Sequence, residues 1–174
     1  MLLGAVLAGG LAVAVAAALT PRVGRLHAVV VAALGWSLVV LALVTLIPAY
    51  GAPGIVPADE RLDSCSWDVG GPAPEGFWIF SGGQRLLNVA VFVPSGALLV
   101  LAAARWPRSA WATVPLGLAL LVGYSVAIEL TQLALARLDR ACDVTDVVDN
   151  MTGAVLGGLL GVVLALVLRP WRHR

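Results

Sequence analysis

The sequence predicts an all-α membrane protein, a polytopic bundle of about five transmembrane helices. Of its 174 residues, 60% are hydrophobic and only 12% are charged, and the mean hydropathy is +0.97. Soluble domains carry about a quarter charged residues, and one of this size buries only about two-thirds of the surface that its unfolded chain exposes. Much of this apolar surface must therefore face lipid, where helices satisfy their own backbone hydrogen bonds.

Five apolar stretches reach the roughly 20 residues that a helix needs to cross about 30 Å of hydrocarbon. They cover residues 1–20, 28–47, 86–104, 109–136 and 150–168. A cleaved signal peptide is the alternative for the first stretch, but the Lys or Arg that normally opens such a peptide is absent. We therefore expect a membrane span there as well.

The distribution of arginine predicts the orientation. Segments 21–27 and 105–108 contain Arg but no acid, as does the tail, whereas segments 48–85 and 137–149 contain nine of the ten acids. Arg-rich segments stay in the cytoplasm, which places the N-terminus outside and the C-terminus in the cytoplasm of a bacterial inner membrane. The expected parts are two N-terminal helices at 1–47, an extracytoplasmic Pro- and Gly-rich loop at 48–85, a three-helix core at 86–168 and a basic cytoplasmic tail at 169–174.

Two cysteines, Cys65 and Cys142, both fall on the predicted outer side. That compartment is oxidising, so a disulfide between the two loops is one interpretation, and two unpaired thiols is the other. Their spacing fits no metal or redox motif, so we expect no metal site and no cofactor.

Polar residues inside the predicted spans are the informative ones, because each is costly in lipid without a partner. Glu129 lies in the fourth span and shares a helix face with Ser125 and Gln132. Such a stripe can hold helices together or form a functional site, and an intramembrane carboxylate favours the site.

A second polar face opens the fifth span, where residues spaced by three or four fall on one side of a helix. Asp143 and Asp146 suit the first turns, where a carboxylate can cap free N–H groups. Capping alone does not account for Asn150, which enters the hydrocarbon on the same face. The face comprises Arg140, Asp143, Asp146, Asn150 and Gly153.

Glycines predict where the helices approach closely. Gly153, Gly157 and Gly161 repeat every fourth residue, as in small-residue interfaces between membrane helices. In the third span, Asn88 shares a face with Gly96. A homodimer is one use of the glycine face, and packing within the monomer is the other.

These polar residues gather at one depth on the predicted outer side. The third, fourth and fifth spans are therefore expected to surround a polar pocket that is open to the outside. Its expected ligand-binding residues are Asn88, Glu129, Gln132, Arg140, Asp143, Asp146 and Asn150.

Four blocks of sequence resemble the VanZ-like family over about residues 85–168. They are LNVAVFVPSG at 87–96, ELTQ at 129–132, RACDVTD at 140–146 and NMTG at 150–153. The founding member of that family is associated with low-level resistance to teicoplanin, a glycopeptide that acts at the outer surface of the bacterial cytoplasmic membrane. One departure is Thr145, where many relatives carry a further acid, and it weakens any model with a divalent metal between adjacent carboxylates.

The resemblance implies a place in the cell envelope rather than a reaction. The first hypothesis is a protein that binds an amphiphilic or lipid-linked ligand, such as a cell-wall precursor or a glycopeptide, in the outer pocket. The alternative is an enzyme that acts on a lipid-linked precursor or a phospholipid headgroup, with Glu129 and Asp146 as acid and base. Transport is less favoured because no internal repeat is visible. We expect membrane lipid as a partner, but not nucleic acid, because the net charge is only +1.

Overall fold

A computed structural model describes residues 1–47, 57, 59, 63–67, 83–135 and 142–172. This part of the chain folds as five helices followed by a short 3-10 turn at Pro170–Arg172, and all five helices are long and apolar enough to cross a membrane. The predicted all-α bundle of five spans is therefore confirmed. The helices are α1 (Leu2–Val23), α2 (Arg25–Leu46), α3 (Gly83–Ala103), α4 (Pro107–Ala134) and α5 (Val144–Leu168).

The helix boundaries differ from the expected ones by up to six residues, and the differences at α5 and at the turn between α1 and α2 have clear physical reasons. α5 begins at Val144, six residues before the predicted span, because Asp143 caps it and the polar residues that follow form its first turns. α1 continues through Pro21 to Val23, so Gly24 alone joins α1 to α2. Gly24 has φ 78°, a conformation that residues with a Cβ rarely adopt.

α1 and α2 form an antiparallel hairpin at one side of the bundle. The indole N–H of Trp36 donates to the carbonyl oxygen of Ala5 at 2.9 Å, which ties the two helices together. α1 contributes no buried side chain, so it packs on α2 and otherwise presents an apolar surface.

α3 and α5 run parallel and make the closest helix contact. The contacting positions advance by four residues on both helices, so one turn of α3 faces one turn of α5. A Cβ atom at any of four glycines would press into a backbone carbonyl group of the other helix, which makes glycine necessary for this approach. The pairs are Gly153 with Val89, Gly157 with Val93, Gly161 with Ala97 and Gly96 with Ala154.

α2 and α4 pack around this pair and complete the core. Phe92 of α3 is fully buried, and it clusters with Leu41, Leu121, Ile128 and Ala154. The two ends of the bundle differ in charge. The acidic end carries Glu129, Asp143, Asp146 and Asp149, and the arginine end carries Arg22, Arg25, Arg105, Arg108 and Arg169.

Candidate binding site at the acidic end

The start of α5 is anchored by two carboxylates. Asp143 is the N-cap residue, and its Oδ1 accepts the backbone N–H of Thr145 at 2.8 Å. The N–H of Asp143 donates in turn to Oε2 of Glu129 at 3.1 Å. Glu129 is only 4% exposed, so this buried carboxylate from α4 lies at a helix N-terminus, where the dipole favours negative charge.

Asp146, in the first turn of α5, has a different partner. Its Oδ1 accepts a hydrogen bond from Nδ2 of Asn88 on α3 at 2.6 Å. This side chain therefore links α3 to α5, and capping is left to Asp143.

An ion pair joins the same two helices. Arg85 donates from Nε to Oδ2 of Asp149 at 2.9 Å and from Nη2 to Oδ1 at 3.0 Å. The Asp149 side chain is 7% exposed and the Arg85 side chain 42%. A two-pronged contact of this kind fixes the guanidinium plane as well as its position.

Sequence reasoning missed both members of this pair, although the helix period contained a signal for each. Arg85 lies three residues before Asn88, and Asp149 lies three residues after Asp146, so each shares a helix face with a predicted site residue. Hydropathy had assigned both of them to loops.

Asn150 lies one turn deeper than Asp146. Its Nδ2 donates to Oγ of Ser125 at 2.9 Å, and both side chains are buried. Its Oδ1 is also buried and has no hydrogen-bond partner among the described residues. A buried amide oxygen without a hydrogen-bond partner has a desolvation cost that opposes folding.

Gln132 does not join this group. Its Nε2 donates to the carbonyl oxygen of Thr45 at 3.0 Å, in the last turn of α2, where carbonyl groups lack helical partners. α2 is held further by Ser37, whose Oγ lies 3.0 Å from Oγ of Ser95, and by Tyr124, which donates to the carbonyl oxygen of Leu38 at 2.7 Å. The second helix is thus part of the polar framework.

A short segment of the long loop is bonded to this end of the bundle. Cys65 and Cys142 are joined by a disulfide with a Cα–Cα distance of 4.7 Å. Beside it, the N–H of Ser66 donates to the carbonyl oxygen of Cys142 at 2.9 Å, and the N–H of Val144 donates to that of Ser66 at 3.0 Å. Residues 63–67 are thereby fixed next to the Asp143–Glu129 contact.

The structure therefore brings together Asn88, Glu129, Asp143 and Asp146, with Asn150 beneath them. Arg140 lies outside the described residues. Within the described ranges, no three carboxylate, thiol or imidazole groups converge as a metal site would require. The carboxylates instead accept hydrogen bonds that hold polar groups in place.

A known protein family matches most of the chain. The sequence model of the VanZ/LLP1 family matches residues 36–168, whereas no curated protein and no solved structure matches the chain. The match begins in α2, ahead of the 85–168 over which the resemblance was visible, and it takes in the α2 residues that bond to α3 and α4. This multi-pass membrane protein belongs to the VanZ/LLP1 family.

Proposed function

We propose that this protein binds the polar headgroup of an amphiphilic or lipid-linked ligand at its acidic end, on the outer side of the bacterial cytoplasmic membrane. The observation that carries the proposal is the state of Arg85. Its guanidinium is held on two nitrogens by Asp149, is 42% exposed, and keeps Nη1 without a partner among the described residues.

A guanidinium held in this way is prepared for an anionic group. Because Asp149 already fixes its plane, little conformational entropy is lost when a ligand phosphate or carboxylate contacts Nη1. Arg85 lies in the first turn of α3, and because α3 is long enough to cross a membrane we expect this turn at headgroup depth.

The surrounding acids add a second requirement on the ligand. Asp143 and Asp146 are only partly buried beside Arg85, and an anion without hydrogen-bond donors would be repelled by them. The best match is an amphiphile that carries an anionic group beside N–H or O–H donors, as glycopeptides and lipid-linked cell-wall precursors do. We therefore also propose that the protein takes part in the response to teicoplanin.

The test uses labelled teicoplanin and the purified full-length protein in detergent, with affinity read from fluorescence anisotropy. Arg85→Lys keeps a cation opposite Asp149 but removes Nη1, so we expect about tenfold weaker binding. Arg108→Gln, at the opposite end, should bind as the unchanged protein does. Equal affinity for all three proteins, or no binding by any, would overturn the proposal.

The same variants can be compared in cells. If the chain lowers teicoplanin susceptibility in a susceptible host, Arg85→Lys and Glu129→Gln should abolish the effect, with protein levels in the membrane unchanged. Glu129→Gln retains an oxygen that can accept the N–H of Asp143, so it changes the charge more than the fold.

Catalysis by Glu129 and Asp146 has less support. Each carboxylate accepts a hydrogen bond within the bundle, and Glu129 is almost completely buried. Turnover of a labelled precursor lipid by the purified protein, lost in Asp146→Asn, would favour the enzyme over the binding protein.

A further inference from the structure

A groove runs along the α1–α2 hairpin, outside the framework that forms the acidic end. Its volume is about 450 Å³, within the range of pockets that hold small ligands. The groove is lined by Gly9, Ala12, Val13, Ala16, Val29, Ala32, Ala33 and Trp36.

The groove has one closed end. The indole of Trp36 reaches across to α1, where its N–H bonds to Ala5, and its ring lies against Gly9. Toward the arginine end the lining changes to Ala16 and Val29, and no large side chain is among the lining residues there. A long apolar group would therefore extend from the arginine end toward Trp36.

The distance from Arg25 to the closed end of the groove at Trp36 matches one leaflet of a bilayer. From Arg25 to Trp36 the helix rises about 16 Å, at 1.5 Å per residue. This is about half of the roughly 30 Å hydrocarbon thickness, which is the depth that a single lipid acyl chain spans.

A positive charge lies beyond the open end of the groove, on the same face of α2 as the lining residues. Arg25 precedes Val29 by four residues and Ala32 by seven, which places all three on one face of α2. The sequence places no acidic residue in the segments at this end, and Arg22 lies across the turn at Gly24.

From these observations we propose that the α1–α2 groove binds one acyl chain of an anionic phospholipid, with its phosphate at Arg25. A lipid is favoured over a second copy of the chain because the groove has a cation beyond its open end, and that cation lies about one leaflet's depth from the closed end at Trp36. The site uses residues 9–36, almost all of them ahead of the family match, so it is separate from the acidic end.

The experiment measures lipid retained by the full-length protein in detergent, by native mass spectrometry with added phosphatidylglycerol or phosphatidylcholine. The unchanged protein should retain one phosphatidylglycerol and prefer it to phosphatidylcholine. Arg25→Gln should reduce that preference about fivefold, as expected for one cation at a membrane surface. Arg108→Gln is the matched control and should leave the preference unchanged.

Substitutions that fill the groove test the contribution of the acyl chain separately from that of the headgroup. Ala33→Phe, or Ala12→Phe as a second variant, should abolish retention of both lipids, whereas Ala14→Phe on the exposed face of α1 should not. An intact Cys65–Cys142 disulfide and a single elution peak would report the fold of each variant. Retention unaffected by the filled groove, equal preference in Arg25→Gln, or a dimer that forms in place of lipid binding would overturn the proposal.

Discussion

At the scale of single residues, the charge of the Asp149 carboxylate at the acidic end is compensated by Arg85. The carboxylate is buried between α3 and α5, where an unpaired charge would be strongly unfavourable. Arg85 supplies two N–H donors, and its half-exposed position lets water screen the rest of its charge. The two residues therefore do not contribute equally, because Asp149 depends on Arg85 more than Arg85 depends on Asp149.

Removing the arginine should therefore harm the protein more than removing the acid. We expect Arg85→Gln to lower the unfolding temperature in detergent by several degrees, because it leaves Asp149 charged and buried without its partner. Asp149→Asn should lower it less, since the free guanidinium can turn toward water. The double variant should recover part of the loss. Equal unfolding temperatures for the two single variants would contradict this asymmetry.

At the level of helices, the glycines of α5 set the distance to α3. Their spacing predicted a close-packed face, and the structure places carbonyl groups of α3 against Gly153, Gly157 and Gly161. Gly158 is also buried, but a Cβ atom added there would face side chains and would lie 3.7 Å from Cγ2 of Val100. Two adjacent glycines thus have different surroundings, one facing backbone and one facing side chains that can move.

This difference gives a matched pair of substitutions. Gly157→Ala should destabilise the folded protein by about 1–3 kcal/mol, because the backbone at Val93 cannot rotate away from an added methyl group. Gly158→Ala should lie within about 1 kcal/mol of the unchanged protein, and the better helix propensity of alanine favours it. Reversible unfolding in mixed micelles measures both. A loss at Gly158 as large as at Gly157 would show that the α3–α5 distance does not depend on these carbonyl contacts.

At the scale of the whole molecule, hydrophobicity and helix periodicity predicted the features that depend on the residues of a single segment. Five spans follow from the hydrocarbon thickness, and the polar faces of α4 and α5 follow from spacings of three and four. The hydrogen-bond partners of these polar side chains in other helices could not be predicted in the same way. Gln132 and Tyr124 bond to backbone carbonyl groups of α2, and every helix offers such groups, so no residue type in α2 marked the contact. The family match from residue 36 includes the stretch of α2 that makes these contacts.

The orientation of the bundle is the remaining prediction for the whole molecule, and it depends on the arginines rather than the acids. Short loops that contain Arg stay in the cytoplasm, whereas Asp and Glu have little influence on insertion. In a background with Cys65→Ser and Cys142→Ser, a single Ser64→Cys at the acidic end should react with a membrane-impermeant maleimide in intact cells. Ser109→Cys, exposed at the start of α4, should react only after permeabilisation. The reverse labelling would place the acidic end in the cytoplasm and remove the basis for a ligand on the outer surface.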